Sequence, residues 1–258
     1  MSVYANYVEC TNPGTYKVTA LTNKIKVYLV GGGGAGGGGG GSQHNNRRRS
    51  DRAGGGGGSG SSGEIQFWIN EQPNIKNKSI EITVGYAGKA GSPGTNGDPN
   101  ANNGNSGGNG SASSVTIDGE TCTANGGKGG GGGEGAWRDG GRGADGRRDY
   151  SLGGVGGAST GSHCTAGTDG DIGKPGKHIR DVRTGSTGGR ESHPLSNTIG
   201  YTAEGGSRNM SINHTGIYPN NRPGMGGSGG TGAYAPTNAQ FGRDGNKGYA
   251  RIYFIDDA

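Results

Sequence analysis

His163 and Cys164 stand side by side, and Asp169 and Asp171 follow closely. Imidazole, thiol and carboxylate are the groups of a metal site or an activated nucleophile. No second ligand pair stands at a useful spacing, and glycine surrounds the group, so these residues read as loop. Gly173-Lys174 sits in a glycine-rich stretch like those that cradle phosphate. Pro175 occupies the place where Ser or Thr is needed, and the glycine spacing is wrong. Asp256-Asp257 close the chain and read as solvated. The three cysteines, Cys10, Cys122 and Cys164, form no C-x-x-C pair, so neither a zinc site nor a disulfide framework is indicated. Sequons at Asn77, Asn109, Asn209 and Asn213 are what chance supplies in an Asn- and Ser-rich chain. No catalytic constellation results. The expectation is a protein that is not an enzyme and uses no cofactor and no metal.

The remaining chemistry is that of recognition. Arg47, Arg48 and Arg49 lie in the polar segment Ser42–Ala53. Trp137, Arg138 and Tyr150 lie in Ala136–Leu152. His193, Tyr201 and Tyr218 lie in Lys177–Pro223, the longest glycine-poor stretch. Tyr234 and Phe241 lie in Ala233–Phe241. Aromatic and arginine side chains outside strands, in polar loops, more often bind than pack. The formal charge of +5 suits an anionic surface without demanding one. Nucleic acid is a weaker reading: RGG repeats are absent and acidic residues interrupt the arginines.

What must position these residues is unusual in composition. Glycine accounts for 65 of 258 residues, and hydrophobic residues for 26%, against a usual ~45–50% on a count that includes glycine. Disorder is the default for such a chain. It gives way here because apolar residues alternate sharply in a few segments. "TYKVTAL" (15–21) alternates Tyr16, Val18 and Ala20 with polar residues. "KIKVYLV" (24–30) alternates Ile25, Val27 and Leu29. Period two with one apolar face predicts half-buried strands, and Thr22-Asn23 between them predicts a tight hairpin. "EIQFWIN" (64–70) predicts a strand with Ile65, Phe67 and Ile69 on one face. "SIEITV" (79–84) adds Ile80, Ile82 and Val84. "SSVTIDGETCTA" (113–124) predicts a hairpin turning at Asp118-Gly119, and "GYARIYFI" (248–255) a last strand. No segment keeps a helical period. The first ten residues carry no leader signature, and no apolar run is long enough to span a membrane.

Between strands, glycine recurs every third residue: 85, 88, 91, 94 and 97, then 129, 132 and 135, then 224, 227 and 230, then 242, 245 and 248. The same spacing links 54 to 63, 140 to 146 and 167 to 176. A three-residue period fits a polyproline-II-type helix, whose N–H and C=O groups point outward and need partners. Short rods of this kind packed together would place glycine on shared faces and leave Lys89, Ser92 and Thr95 on an outward row. Collagen would need a long unbroken run rich in proline.

"NPGTYKVTA" and "NKIKVYLVGGGGAGGGGGG", then "SIEITVGYAG", "SSVTIDGETCTANGGKGG" and the closing "GNKGYARIYFIDDA" resemble in this order the glycine-rich domains of bacteriophage tail fibres, including the tail-fibre tip adhesins of T-even phages. The resemblance covers most of the chain apart from its loops. It implies a mainly β fold without α-helix, in which a small antiparallel framework carries a bundle of polyglycine-II helices. It implies one glycine-rich domain over 1–258: a β-hairpin region at 1–30, tracts, strands and display loops at 31–247, and a closing strand at 248–258. By position, the four polar segments match the receptor-binding loops. The implied function is a virion adhesin, extracellular on the particle, whose partners are a bacterial surface receptor (lipopolysaccharide or outer-membrane protein) and other tail-fibre proteins, without nucleic acid or membrane insertion. A structural or minor virion or matrix protein is the alternative; ice binding or nucleic-acid binding is less well matched. The tip adhesins carry an N-terminal segment that docks on the fibre, and this chain begins almost directly with strands.

Overall fold

A computed structural model describes residues 1–3, 6–42, 63, 65–70, 74–97, 101–133, 135, 164–168, 223–227, 229–230, 232–233 and 238–255. Ten strands lie in this part: β1 (Ser2–Val3), β2 (Tyr7–Cys10), β3 (Gly14–Thr19), β4 (Lys24–Val30), β5 (Ile65–Asn70), β6 (Ser79–Val84), β7 (Ser113–Ile117), β8 (Glu120–Ala124), β9 (Cys164–Thr168) and β10 (Tyr249–Ile255). They form two antiparallel sheets, one ordered β1-β2-β10-β4-β5-β9 and the other β3-β6-β7-β8. Among the described residues there is no helix.

Strand alternation decides which side chains meet between the sheets. Val8, Cys10, Ile25, Val27, Leu29, Trp68, Ala250, Ile252 and Phe254 come from the larger sheet. Ile80, Ile82, Val84, Val115, Ile117, Cys122 and Ala124 come from the smaller. The turn of β7–β8 is built as expected: Asp118 and Gly119 have φ of 49° and 84°, the positive values a two-residue type I′ turn requires.

Four features depart from the sequence reading. β3 and β4 do not form a hairpin across Thr22-Asn23. β3 pairs with β6 and β4 with β10 and β5, so the short link carries the chain from one sheet to the other. In β5 the core takes Trp68, opposite Val27, while Ile69 is 46% exposed; the large indole outcompetes its aliphatic neighbours for the inner face. Gly167, read as the start of a glycine row, belongs to β9. Cys122 is disulfide-bonded, whereas Cys10 is a free, buried thiol.

The glycine tracts continue the strands directly. Tract 31–42 extends β4, tract 85–97 extends β6 and tract 125–135 extends β8; tracts 101–112 and 238–248 run back into β7 and β10. Tract 31–42 is the hub. The N–H groups of Gly32, Ala35, Gly38 and Gly41 donate to the carbonyls of Ser111, Gly108, Asn105 and Asn102. Those of Gly33, Gly36 and Gly39 donate to Asn246, Arg243 and Gln240. Its carbonyls accept from Gly88, Gly91, Gly94 and Gly97, from Gly127, Gly130 and Gly133, and from Gly227, Gly230 and Ala233. Every partner steps by three residues. The outer tracts are bonded in the same step, as where Asn102, Asn105, Gly108 and Ser111 donate to Thr95, Ser92, Lys89 and Tyr86. Gly63, the last glycine of its row, donates to Gly224 O; Gly54, Gly57 and Gly60 lie outside the described residues.

Glycine is required here by close approach. A Cβ built at Gly34, Gly38 or Gly41 would overlap the backbone carbonyl of Lys128, Ser92 or Thr95, and backbone cannot swing aside as a side chain can. Ser113 stitches sheets and tracts together: its buried hydroxyl donates to Val30 O at 2.7 Å and accepts from Gly85 N at 2.9 Å.

Candidate functional site

Strand direction sets where the tracts end. Tracts 31–42, 85–97, 125–135 and the tract from Gly224 to Ala233 run parallel, away from the sheets, because their bonds advance together: Gly97 N to Ser42 O, Gly133 N to Gly38 O and Ala233 N to Gly40 O. Tracts 101–112 and 238–248 return. Ser42, Gly97, Gly135, Ala233 and Asn238 therefore share the end remote from the sheets. Side chains tie this end together. Asn96 accepts from Ser42 N at 2.9 Å and donates to Asn238 Oδ1 at 3.0 Å. Asn102 donates to Thr95 Oγ1 at 2.8 Å, and Asn103 accepts from Gly135 N at 2.7 Å.

Three of the four polar segments expected to bind are rooted in this layer: 42–53 at Ser42, 136–152 beyond Gly135, and 233–241 between Ala233 and Asn238. The fourth, 177–223, rejoins the bundle at the opposite end, where Gly224 N donates to Lys247 O. Of the expected site residues, Phe241 lies in the described part. It sits on the returning tract and is 64% exposed. Arg47, Arg48, Arg49, Trp137, Arg138, Tyr150, His193, Tyr201, Tyr218 and Tyr234 lie outside the described residues, as do His163, Asp169 and Asp171. Among the described residues no His, Cys, Asp and Glu cluster that could hold a metal ion occurs.

The flank of the bundle bears the expected outward row. Lys89 and Thr95 are exposed, and Ser92, half-buried, accepts from Asn105 Nδ2 at 2.6 Å. Tyr86 continues the row and is 63% exposed. Asp244 clips the neighbouring tract by accepting from Ala90 N at 2.7 Å and pairing with Lys89 at 3.6 Å.

A family model described as a glycine-rich domain matches residues 10–255. The chain belongs to this glycine-rich domain family. No curated protein matches the sequence.

One further cluster in the glycine-rich domain escaped the sequence reading. On the outward side of the larger sheet, Glu9 accepts from Arg251 Nη2 at 2.6 Å and from Tyr249 OH at 2.5 Å. The guanidinium lies 5.2, 5.6 and 5.9 Å from the ring centres of Tyr7, Tyr249 and Tyr253, within cation–π range. Burial alone would push the Glu9 carboxyl up, but the bonds from Arg251 and Tyr249 outweigh it and hold the carboxyl below the usual range. Burial would likewise pull Arg251 down, and its bonds to Glu9 and Tyr253 hold it above its ordinary value. The signal was present in "YARIY", where Tyr249, Arg251 and Tyr253 occupy the outward positions of a period-two strand.

Proposed function

We propose that this glycine-rich domain is a receptor-binding module of a bacteriophage particle, and that its tracts are polyglycine-II-type helices holding recognition loops at one end. The observation that carries the reading is the common layer of Ser42, Gly97, Gly135, Ala233 and Asn238, from which three polar, arginine- and aromatic-bearing segments depart. The three-residue step of every tract-to-tract bond supports the helix type, since such helices turn once in three residues and direct their backbone groups outward. At ~3.1 Å per residue the hub from Gly31 to Ser42 spans roughly 35 Å.

The mechanism is display. A bundle with almost no side chain inside has little to rearrange, so loops rooted on it lose less entropy when they bind. Arginines of 42–53 and 136–152 pair with phosphate or carboxylate of lipopolysaccharide. Aromatic rings stack on sugars or grip the loops of an outer-membrane protein. The expected setting is extracellular, on the virion, and the disulfide at Cys122 suits an oxidising medium.

The test is binding of the purified protein to a panel of bacterial hosts, with a variant in which 43–53, 136–152 and 234–237 are replaced by Gly-Ser. Saturable binding lost in the variant supports the reading. Binding unchanged by the replacement refutes it, and so does wild-type protein that binds no host whose infection by the parent phage is demonstrated.

A further inference from the structure

We propose that β3 is a pairing edge and that a second copy of the chain occupies it, antiparallel, joining two four-stranded sheets into one continuous sheet. β3 ends its sheet and pairs with β6 alone. Just beyond it, Ala20 N donates to Lys78 O and Ala20 O accepts from Asn77 N. The backbone groups of the even-numbered residues therefore face β6. By alternation those of Thr15, Lys17, Thr19 and Leu21 face out of the sheet. No described residue bonds them.

Sheet edges are normally guarded by shortness, bulges, proline or charge. The other edges here fit that rule or are engaged. β1 has two residues, the β9 ladder slips between Ile65 and Phe67, and Glu120, Thr121 and Cys122 of β8 each have further partners. β3 is six residues long, in unbroken register with β6 and without proline. Its one charge, Lys17, is drawn towards Glu81 of β6 at 3.5 Å, away from the open side. On its inner face Tyr16 and Val18 pack against the core yet stay half-buried, and Leu21 is 49% exposed. A further strand covers all three.

The edge is complementary to itself. Let the Val18 residues of two copies face each other across a two-fold axis. Lys17 then faces Thr19 of the second copy, Tyr16 faces Ala20 and Thr15 faces Leu21, and the outward N–H and C=O groups bond in pairs. Centring the axis on Lys17 instead sets two ammonium groups opposite each other, which is destabilising. Centring it on Tyr16 sets Thr19 against Pro13, which has no N–H to give. Antiparallel pairing reverses one copy, so the two glycine bundles leave in opposite directions and do not obstruct each other. The same patch serves both copies, so the assembly closes at two. The inference rests on this edge and stands whatever the far end of the bundle binds.

Two measurements on the full-length protein decide it. Sedimentation equilibrium from micromolar to millimolar protein is expected to show a reversible monomer–dimer equilibrium, since one strand pair makes a small interface. Lys17→Pro removes an outward N–H that the fold itself does not use, a place where an edge strand tolerates proline. It is expected to weaken dimerisation by roughly tenfold or more, because a bond is lost on each side of the axis, with thermal melting to confirm the fold. In the second measurement, Val18→Cys is expected to link two copies under mild oxidation, since facing Cβ atoms of a non-hydrogen-bonded pair come within reach of a disulfide. Lys17→Cys, more exposed but facing Thr19, is expected to link far less, and wild type, whose Cys10 is buried, is the blank. A protein that stays monomeric throughout overturns the pairing and leaves the edge to a strand of another protein. Undiminished dimerisation of folded Lys17→Pro overturns it too, as does linking of Lys17→Cys no less efficient than that of Val18→Cys.

Discussion

Gly38→Ala tests the claim that the bundle is held by backbone contact. Gly38 lies in the middle of the hub. A methyl group there would overlap Ser92 O and C and stand 2.9 Å from Gly91 O, inside the 3.0 Å that real Cβ atoms essentially never cross. Everything it meets is backbone. The seam to tract 85–97 must open, and the bonds nearest the clash are Gly91 N to Gly36 O and Gly94 N to Gly39 O, at 2.9 and 2.8 Å. Gly38 itself donates to Asn105 O and accepts from Gly133 N. Losing three or four such bonds at a net ~0.5–1.5 kcal/mol each, less ~0.4–1 kcal/mol for the stiffer unfolded chain, leaves a destabilisation of about 2–4 kcal/mol. That is a large part of a total in the usual range of ~5–15 kcal/mol. At ~2–4 °C per kcal/mol for a chain of this size, the melting temperature falls by roughly 5–15 °C in calorimetry. Gly108→Ala is the control, since its Cβ would meet Lys89 N at 3.2 Å and Lys89 O at 3.4 Å, so the neighbour has to give by only a few tenths of an ångström and the cost is expected at the low end of overpacking, ~1 kcal/mol. The outcome is not foregone, because Ala35, one step of three earlier, is already buried in the hub. If Gly38→Ala melts within ~2 °C of wild type, or no lower than Gly108→Ala, the seam yields to a methyl group and the contact argument fails.

Two further perturbations probe the sheets. Ser113→Ala removes the buried hydroxyl that bonds Val30 O and Gly85 N; a loss of about 1–3 kcal/mol is expected from the denaturant midpoint, with the denaturant slope unchanged. Burial pushes the Cys10 thiol up to about 11 from 9.0. Its contribution is fully present below the unfolded value and is lost as pH rises from ~9 through ~11, because the unfolded chain ionises first; at ~1.4 kcal/mol per pH unit the loss approaches 2–3 kcal/mol. Wild type minus Cys10→Ala in unfolding free energy across pH 8–11.5 isolates this step from Tyr and Lys titration, and a flat difference would show that the thiol is not held neutral by the fold.

The strands were legible where one face is buried: the alternation in "SIEITV" and "KIKVYLV" names Ile80, Ile82, Val84, Ile25, Val27 and Leu29 as core, and all six are. Partners were not legible, because alternation reports a face and not a neighbour. β3 and β4 adjoin in sequence and lie in different sheets, whereas β3 pairs with β6 across the whole of tract 31–42 and β5. β2 and β9 were missed because "YVEC" and "CTAGT" are short and lack the Asp-Gly turn that marked the equally short β7 and β8. The glycine period was the stronger signal. It told which side of each tract faces another tract most closely, since at positions such as Gly34, Gly38 and Gly41 a Cβ would overlap the facing backbone; Ala35 shows that the bar is not absolute. The position of the candidate site follows from the same order of elements. A tract that continues a strand must leave the sheet, and a tract that feeds a strand must approach it; hence the breaks at 42, 97, 135 and 233–238 fall at the far end. The break at 223 differs because the tract beginning at Gly224 starts beside the sheets, bonded to Lys247 and Gly63. That contrast makes the fourth segment, 177–223, the one whose part in binding has to be judged separately. Replacing it alone should leave intact any receptor contact that depends only on the far end.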